Sequence, residues 1–146
     1  MMINFQFSIF NFQLRILLLF LCLFLTGCEK DVSDQIKGKW QLKTVEEAGQ
    51  LLSVDTVWYN FQSESLFMYQ IYHPKADTFS WLYGYKTQPE NTILHLELMN
   101  NSAIPKENIL YFTDWKELTR TFTVDKINRK HLVLTGDNKT YTFNRY

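Results

Sequence analysis

The chain has 146 residues, with 15 basic and 15 acidic side chains, and is formally neutral. That length suits one domain rather than two. Neutrality excludes the electrostatic footprint of a nucleic-acid binder and the basic patch that adsorbs to anionic lipid.

Residues 1–27 stand apart from the rest. Their one formal charge is Arg15, followed by the apolar run Ile16-Leu17-Leu18-Leu19-Phe20-Leu21-Cys22-Leu23-Phe24-Leu25. Such a run is too short for a bilayer core of about 30 Å but suits the h-region of a signal peptide. It has no polar face, which argues against a core helix. The residues before Arg15 are also largely apolar, which fits a true start downstream of Met1. Leu25-Thr26-Gly27-Cys28 resembles the bacterial lipobox, an apolar residue, a small one, Gly or Ala, then Cys. The resemblance implies cleavage before Cys28 and acylation of its thiol. Two or three acyl chains, at about 0.8 kcal/mol per buried CH₂, then hold the protein on a membrane.

Three segments follow: a lipoprotein signal peptide over 1–27, an acylated Cys and tether over 28–35, and a domain over 36–146. Loss of residues 1–27 removes Arg15 and Cys22, leaving one acid in excess and no thiol for a disulfide. Glu29 follows the Cys where an inner-membrane retention signal carries Asp, so the resemblance favours the outer membrane. Glu29-Lys30-Asp31 also resembles part of the Lys/acidic signal by which Bacteroides-type bacteria display lipoproteins on their surface; a plain solvated linker is the alternative.

The tether is followed by one helical turn before Gly38, with Ser33-Asp34 as its cap. From Gly38 onward, alternation with period two signals strands. The first covers 38–46, with Trp40, Leu42 and Thr44 on one face. The second, 54–62, sets Val57, Tyr59 and Phe61 against Thr56, Trp58 and Asn60. The third, 66–73, is apolar on both faces. The fourth, 78–87, puts Phe79, Trp81, Tyr83 and Tyr85 on the expected inner face and Ser80, Leu82, Gly84 and Lys86 on the other. Gln88-Pro89-Glu90-Asn91 is read as a turn.

The fifth strand, 92–99, points Leu94, Leu96 and Leu98 inward. A short helix starting at Pro105 precedes the sixth strand, 118–127, which carries Phe122 and Val124. The seventh is 131–135. Gly136-Asp137-Asn138-Lys139 signals a hairpin into the eighth, 140–146, with Tyr141 and Phe143 inward. Eight short strands joined mostly by short connections imply an all-β, eight-stranded antiparallel up-and-down barrel, which removes exposed edges.

Gly38-Lys39-Trp40 at the start of the first strand resembles the Gly-x-Trp signature of the lipocalin superfamily. The run from Phe122 to Tyr146 resembles the ending of lipocalin-like lipoproteins of Bacteroides-group bacteria. The resemblance implies that Gly38, Trp40 and Arg145 close one end of the barrel, with the arginine packed over the indole. Thr113-Asp114-Trp115 resembles the family's second motif, Thr-Asp-Tyr, but precedes the sixth strand instead of following it.

No catalytic constellation stands out. His73, His95 and His131 lack metal-ligand spacing, and Glu46-Glu47 are adjacent and so point to opposite faces of a strand. No cofactor, metal or catalytic residue is expected. Tyr59, Phe61, Trp81, Tyr83, Tyr85 and Tyr141 are the expected lining of a site for a small apolar or aromatic ligand. The alternative is that these rings fill the barrel, which is just wide enough for side chains or one small ligand. The protein then works through its outer face as an interaction or accessory subunit of the cell envelope, with Trp58, Tyr69 and Leu82 as outward residues. Cys28→Ser is expected to abolish lipidation. A variant that still takes up a labelled fatty-acid analogue and partitions with membranes would overturn the lipobox reading.

Overall fold

The computed structural model describes residues 31–100 and 103–146. The lipobox, Cys28 and the apolar leader lie outside the described residues. Within Asp31–Tyr146 the elements are α1 (Val32–Ile36), β1 (Gly38–Glu47), β2 (Gln50–Ser53), β3 (Val57–Phe61), β4 (Leu66–His73) and β5 (Thr78–Glu90). They continue with β6 (Ile93–Leu98), α2 (Lys106–Leu110), β7 (Thr119–Ile127), β8 (His131–Gly136) and β9 (Lys139–Arg145). The fold is all-β. Strands β1 and β3 to β9 form an antiparallel ring in chain order, and pairing of β1 with β9 closes it as an eight-stranded barrel.

β2 is an additional ninth strand. The second half of β1, from Thr44 to Glu47, pairs with β2, whereas its first half, from Gly38 to Gln41, pairs with β3. The strand expected over 54–62 is the shorter β3, and β2, which precedes it and is not anticipated by the alternation pattern, pairs on the same side of β1. The break between them is bridged by Val54 N–H donating to the Lys43 carbonyl at 2.7 Å and by Gln41 Nε2 donating to the Asp55 carbonyl at 2.7 Å.

Turn chemistry follows the sequence in two places. Asp137 and Asn138 have φ of 53° and 60°, which the tight β8–β9 hairpin requires of its two central residues. Asp31, rather than Ser33-Asp34, caps α1, its side chain accepting from Ser33 N–H at 3.3 Å. Pro105 precedes α2 as its N-cap. The turn expected at 88–91 is shorter than read. β5 runs on to Glu90, with a register irregularity between Thr87 and Glu90 that accommodates Pro89.

The interior is built from Trp40, Leu42, Tyr59, Phe61, Phe67, Tyr69, Leu94, Leu96, Leu98, Phe122, Leu132, Leu134, Tyr141 and Phe143, all buried. On β1 the inward alternation shifts from Leu42 to Val45, not to Thr44, because the β1–β9 register slips between Leu42 and Thr44. Tyr69 and Leu82, expected outside, face inward as a cross-strand pair: Tyr69 is buried, and half-buried Leu82 packs against the core.

The largest departure from expectation concerns β5. Its inner face carries Ser80, Leu82, Gly84 and Lys86, and its aromatic stripe points to solvent. Two constraints decide this. β4 already places Phe67, Tyr69 and Ile71 inside, so the facing strand has room only for smaller groups. At Gly84 a Cβ would lie 2.2 Å from Phe67 Cε1 and 2.5 Å from the Glu97 carbonyl oxygen. Bringing the aromatic stripe inside would require a one-residue register slip into space that is already filled.

Gly84→Ala is accordingly expected to destabilise the domain by about 1–3 kcal/mol, seen as a lower thermal midpoint. A midpoint equal to that of the unaltered chain would contradict the close approach of Phe67. Lys86 gives a second test. Its ammonium is buried inside the barrel and has no hydrogen-bond partner among the described residues. Burial lowers its pKa below 10.5; Glu64 opposes the shift and Lys37 adds to it. A base with a depressed folded-state pKa binds its proton more tightly when unfolded, so its destabilising effect is greatest at neutral pH and fades as pH rises toward 10.5. Lys86→Met is expected to stabilise by on the order of 1–4 kcal/mol at pH 7, with the gain shrinking at alkaline pH in denaturant titrations. A gain independent of pH would contradict the buried charge.

Candidate functional site

One end of the barrel is closed by residues that the sequence singled out. Trp40 is fully buried, and its Nε1 donates to the Ile36 carbonyl at 2.7 Å, fixing α1 across that end. The Arg145 guanidinium lies 4.5 Å from the Trp40 ring centroid. Arg145 Nη2 donates to the carbonyls of Gln35 at 2.6 Å and Lys37 at 3.0 Å. Gly38 has φ of +119°, a conformation that L side chains rarely adopt, and sits beneath the guanidinium. Lys37 pairs with Asp34 at 2.9 Å and with Glu64 of the β3–β4 turn. These two acids, Glu64 first, raise the exposed Lys37 ammonium to about 12.

The opposite end carries the β1–β2 and β8–β9 turns and the crossing segment between β6 and β7. That segment sends Trp115 into the interior, where its Nε1 donates to the Tyr59 hydroxyl at 3.1 Å. The neighbouring Asp114 carboxylate meets Arg120 Nη1 at 3.2 Å and accepts from the Tyr141 hydroxyl at 2.5 Å. Arg120, on the inner face of β7, also donates from Nη2 to the Tyr141 hydroxyl and pairs through Nε with Asp137 at 3.1 Å. Its guanidinium lies 4.8 Å from the Tyr141 centroid, 5.0 Å from that of Phe122 and 5.8 Å from that of Trp115. Lys139 pairs with Glu47 at 3.2 Å and reaches Asp114 at 3.9 Å. Burial, and then Asp114, raise the phenols of Tyr59 and Tyr141 well above their ordinary pKa, so both keep their protons near neutrality.

The six expected lining residues divide between two faces. Tyr59, Phe61 and Tyr141 are inside and fully buried. Trp81, Tyr83 and Tyr85 are outside, with exposures of 52%, 54% and 51%. With Phe79, at 40%, they form a row along β5. Beside the row, Trp58 is outward but buried, covered by Phe79 at 6.0 Å, by Tyr146 at 5.9 Å and by the Lys39 ammonium at 5.2 Å from its centroid. At its far end Tyr85 borders a shallow groove of about 200 Å³, whose wall includes His95, Glu97, Thr119 and Thr121. An apolar row of this extent on an exposed sheet face is suited to contact another surface.

The histidines are engaged locally: His73 with Ser80 Oγ at 2.9 Å, His95 with Thr121 Oγ1 at 2.7 Å and His131 with Asn144 Oδ1 at 2.9 Å. Among the described residues no three His, Cys, Asp or Glu side chains are placed to hold a metal. Among the same residues no helix is long and apolar enough to cross a membrane. Sequence reasoning missed the Asp114–Arg120–Tyr141 cluster. Its signal was Arg120 at an inward position of the sixth strand, two residues before Phe122, where a lone basic residue needs a buried partner.

The model of a lipocalin-like domain family matches residues 22–146. A lipocalin-like protein of known crystal structure from Bacteroides uniformis ATCC 8492 is 26% identical, with a TM-score of 0.66, over 77% of this chain and 99% of that one. An uncharacterized protein from Bacteroides eggerthii DSM 20697 shares the fold, with a TM-score of 0.63 at 23% identity over 75% of this chain and 98% of its own. No curated protein matches. With the closed barrel and a family match over most of its length, the chain belongs to the lipocalin-like domain family.

Proposed function

We propose that this chain is a lipid-anchored, non-catalytic binding module of the cell envelope that works through the outer face of a filled barrel. The observation that carries the reading is the placement of Phe79, Trp81, Tyr83 and Tyr85. They lie on the solvent side of β5, while Tyr59, Trp115, Phe122 and Phe143 occupy the interior ring against ring. A ligand lined by Tyr59, Trp81 and Tyr83 together is excluded, because those side chains lie on opposite faces of the wall. Large, half-exposed aromatic side chains give contact area at low entropic cost, and Trp and Tyr are enriched where interfaces concentrate their energy.

Anchoring rests on the lipobox resemblance. With Cys28 acylated, only Glu29, Lys30 and Asp31 separate the anchor from α1, a reach of about 10 Å when extended. The domain is thereby held beside the membrane, where a protein subunit of the envelope is the partner that the outer aromatic row serves. The resemblance of the Cys28 flank favours the outer membrane.

Trp81→Ser/Tyr83→Ser/Tyr85→Ser tests the reading. These side chains leave the core untouched, so the thermal midpoint is expected to stay close to that of the unaltered chain. A photo-reactive residue at exposed position 125, on β7 away from the aromatic row, serves as a control, and one at position 83 reports the partner. In intact cells a discrete cross-linked species is expected from position 83 alone, lost on Trp81→Ser/Tyr85→Ser. Cross-linking that is equal from both positions, or insensitive to these substitutions, would sink the outer-face reading.

A further inference from the structure

The barrel mouth is occupied by part of the chain itself, and that part has the outline of a ligand. Asp114 brings a carboxylate and Trp115 a flat indole. The carboxylate is met by Arg120 Nη1 at 3.2 Å, by the Tyr141 hydroxyl and by Lys139 Nζ at 3.9 Å. The indole donates to the Tyr59 hydroxyl at 3.1 Å. It lies nearly parallel to Phe67, with centroids 6.2 Å apart, and meets the Tyr69 and Phe122 rings at steep angles. The partners all belong to barrel strands, and the two guests to the crossing segment.

The seat is more firmly built than its occupant. Tyr59, Phe67, Arg120 and Tyr141 are buried on strands paired on both sides. The segment over 103–118 holds only the five-residue α2, whose N-cap Pro105 makes no side-chain bond. Ile104, Tyr111 and Phe112 on it are exposed, while Ile109 and Trp115 are its buried anchors. Short helices and sparsely anchored segments open most readily. Asp137 engages Arg120 through Nε, so the Nη nitrogens face Asp114 and Tyr141. When the segment lifts, this buried guanidinium loses a charge partner, which is strongly unfavourable unless another anion replaces it. A neutral guest leaves that cost standing; an anionic one removes it.

We infer that Arg120, Tyr141 and Tyr59 form a binding site for an organic carboxylate with a flat aromatic body, occupied at rest by Asp114 and Trp115. The site goes beyond the outer-face reading and does not depend on it. The resident occupant lowers apparent affinity in proportion to the closed fraction of molecules, so removing it reveals the intrinsic affinity.

The full chain in neutral detergent is titrated with indole-3-propionate and with 3-methylindole, which lacks the carboxylate. Asp114→Ala/Trp115→Ala is expected to bind indole-3-propionate at least about tenfold tighter than the unaltered chain does, equivalent to about 1.4 kcal/mol. It is also expected to prefer indole-3-propionate to 3-methylindole by about tenfold. Adding Arg120→Gln should erase that preference. Equal binding by the unaltered chain and the double variant, or of the two probes, overturns the inference. Should the double variant fail to fold, nuclear magnetic resonance of the unaltered chain decides. Indole-3-propionate is expected to strip the Trp115 Nε1–H of its protection from exchange, and 3-methylindole to leave it. Unchanged protection with the carboxylate probe at about 10 mM overturns the inference. Trp81→Ser/Tyr83→Ser/Tyr85→Ser should bind the probe as the unaltered chain does, which separates this site from the outer face.

Discussion

A guanidinium inside an aromatic barrel sets the terms for one whole end of this molecule. Arg120 is buried on β7 among Trp115, Phe122 and Tyr141, where leaving a cation unpaired is costly. It draws Asp114 down from the segment between β6 and β7, and Asp137 in from the β8–β9 turn. Asp114 is followed directly by Trp115, so the carboxylate that neutralises Arg120 also delivers the indole that fills the mouth. Charge compensation and core packing are one event at this end. Tyr59 links them, accepting from the indole and packing against Phe143 at 5.0 Å and Tyr69 at 4.9 Å.

The other end uses an arginine differently. Arg145 lies over the Trp40 ring at the rim, and its hydrogens satisfy carbonyls at the end of α1 and just beyond it. A cation–π contact of this kind contributes about 0.5–2 kcal/mol. Its larger consequence is connectivity, since α1, β1 and β9 are joined at one point. A domain without disulfides among its described residues gains from such ties, because closing the eight-stranded ring leaves only the short β2, paired on one side, with an open edge.

With both ends occupied by the chain's own side chains, the apolar residues left over must lie outside. The row from Phe79 to Tyr85 is the result of that arithmetic of space. β4, the neighbour of β5, fills the adjoining interior with Phe67, Tyr69 and Ile71, and Gly84 gives Phe67 its room. The aromatic row is therefore both a consequence of interior packing and the feature that directs the functional reading outward. It continues past Trp58, under Lys39 and Tyr146, so the exposed surface is wider than one strand.

The sequence by itself determined the eight strands of the barrel (though not the added β2), their antiparallel order and the residues of the closed end. Local alternation, turn residues such as Asp137-Asn138, and the Gly38-x-Trp40 spacing all act over a few residues and are legible without a partner. In composition it also set residues 1–27, whose one formal charge is Arg15, apart from the rest of the chain. Facing was legible where one side of a strand is clearly polar, as in β6 with Leu94, Leu96 and Leu98 inward. It was not legible in β5, where both sides carry apolar groups and the choice depends on what β4 has already placed inside. The Asp114–Arg120–Tyr141 cluster was hidden for a related reason. Its members come from three elements, and only closure of the ring brings β7 and β9 to one mouth with the crossing segment folded over it. Tertiary structure thus decided which aromatic residues form the core and which form the surface, because space inside a closed barrel is shared by all its strands at once.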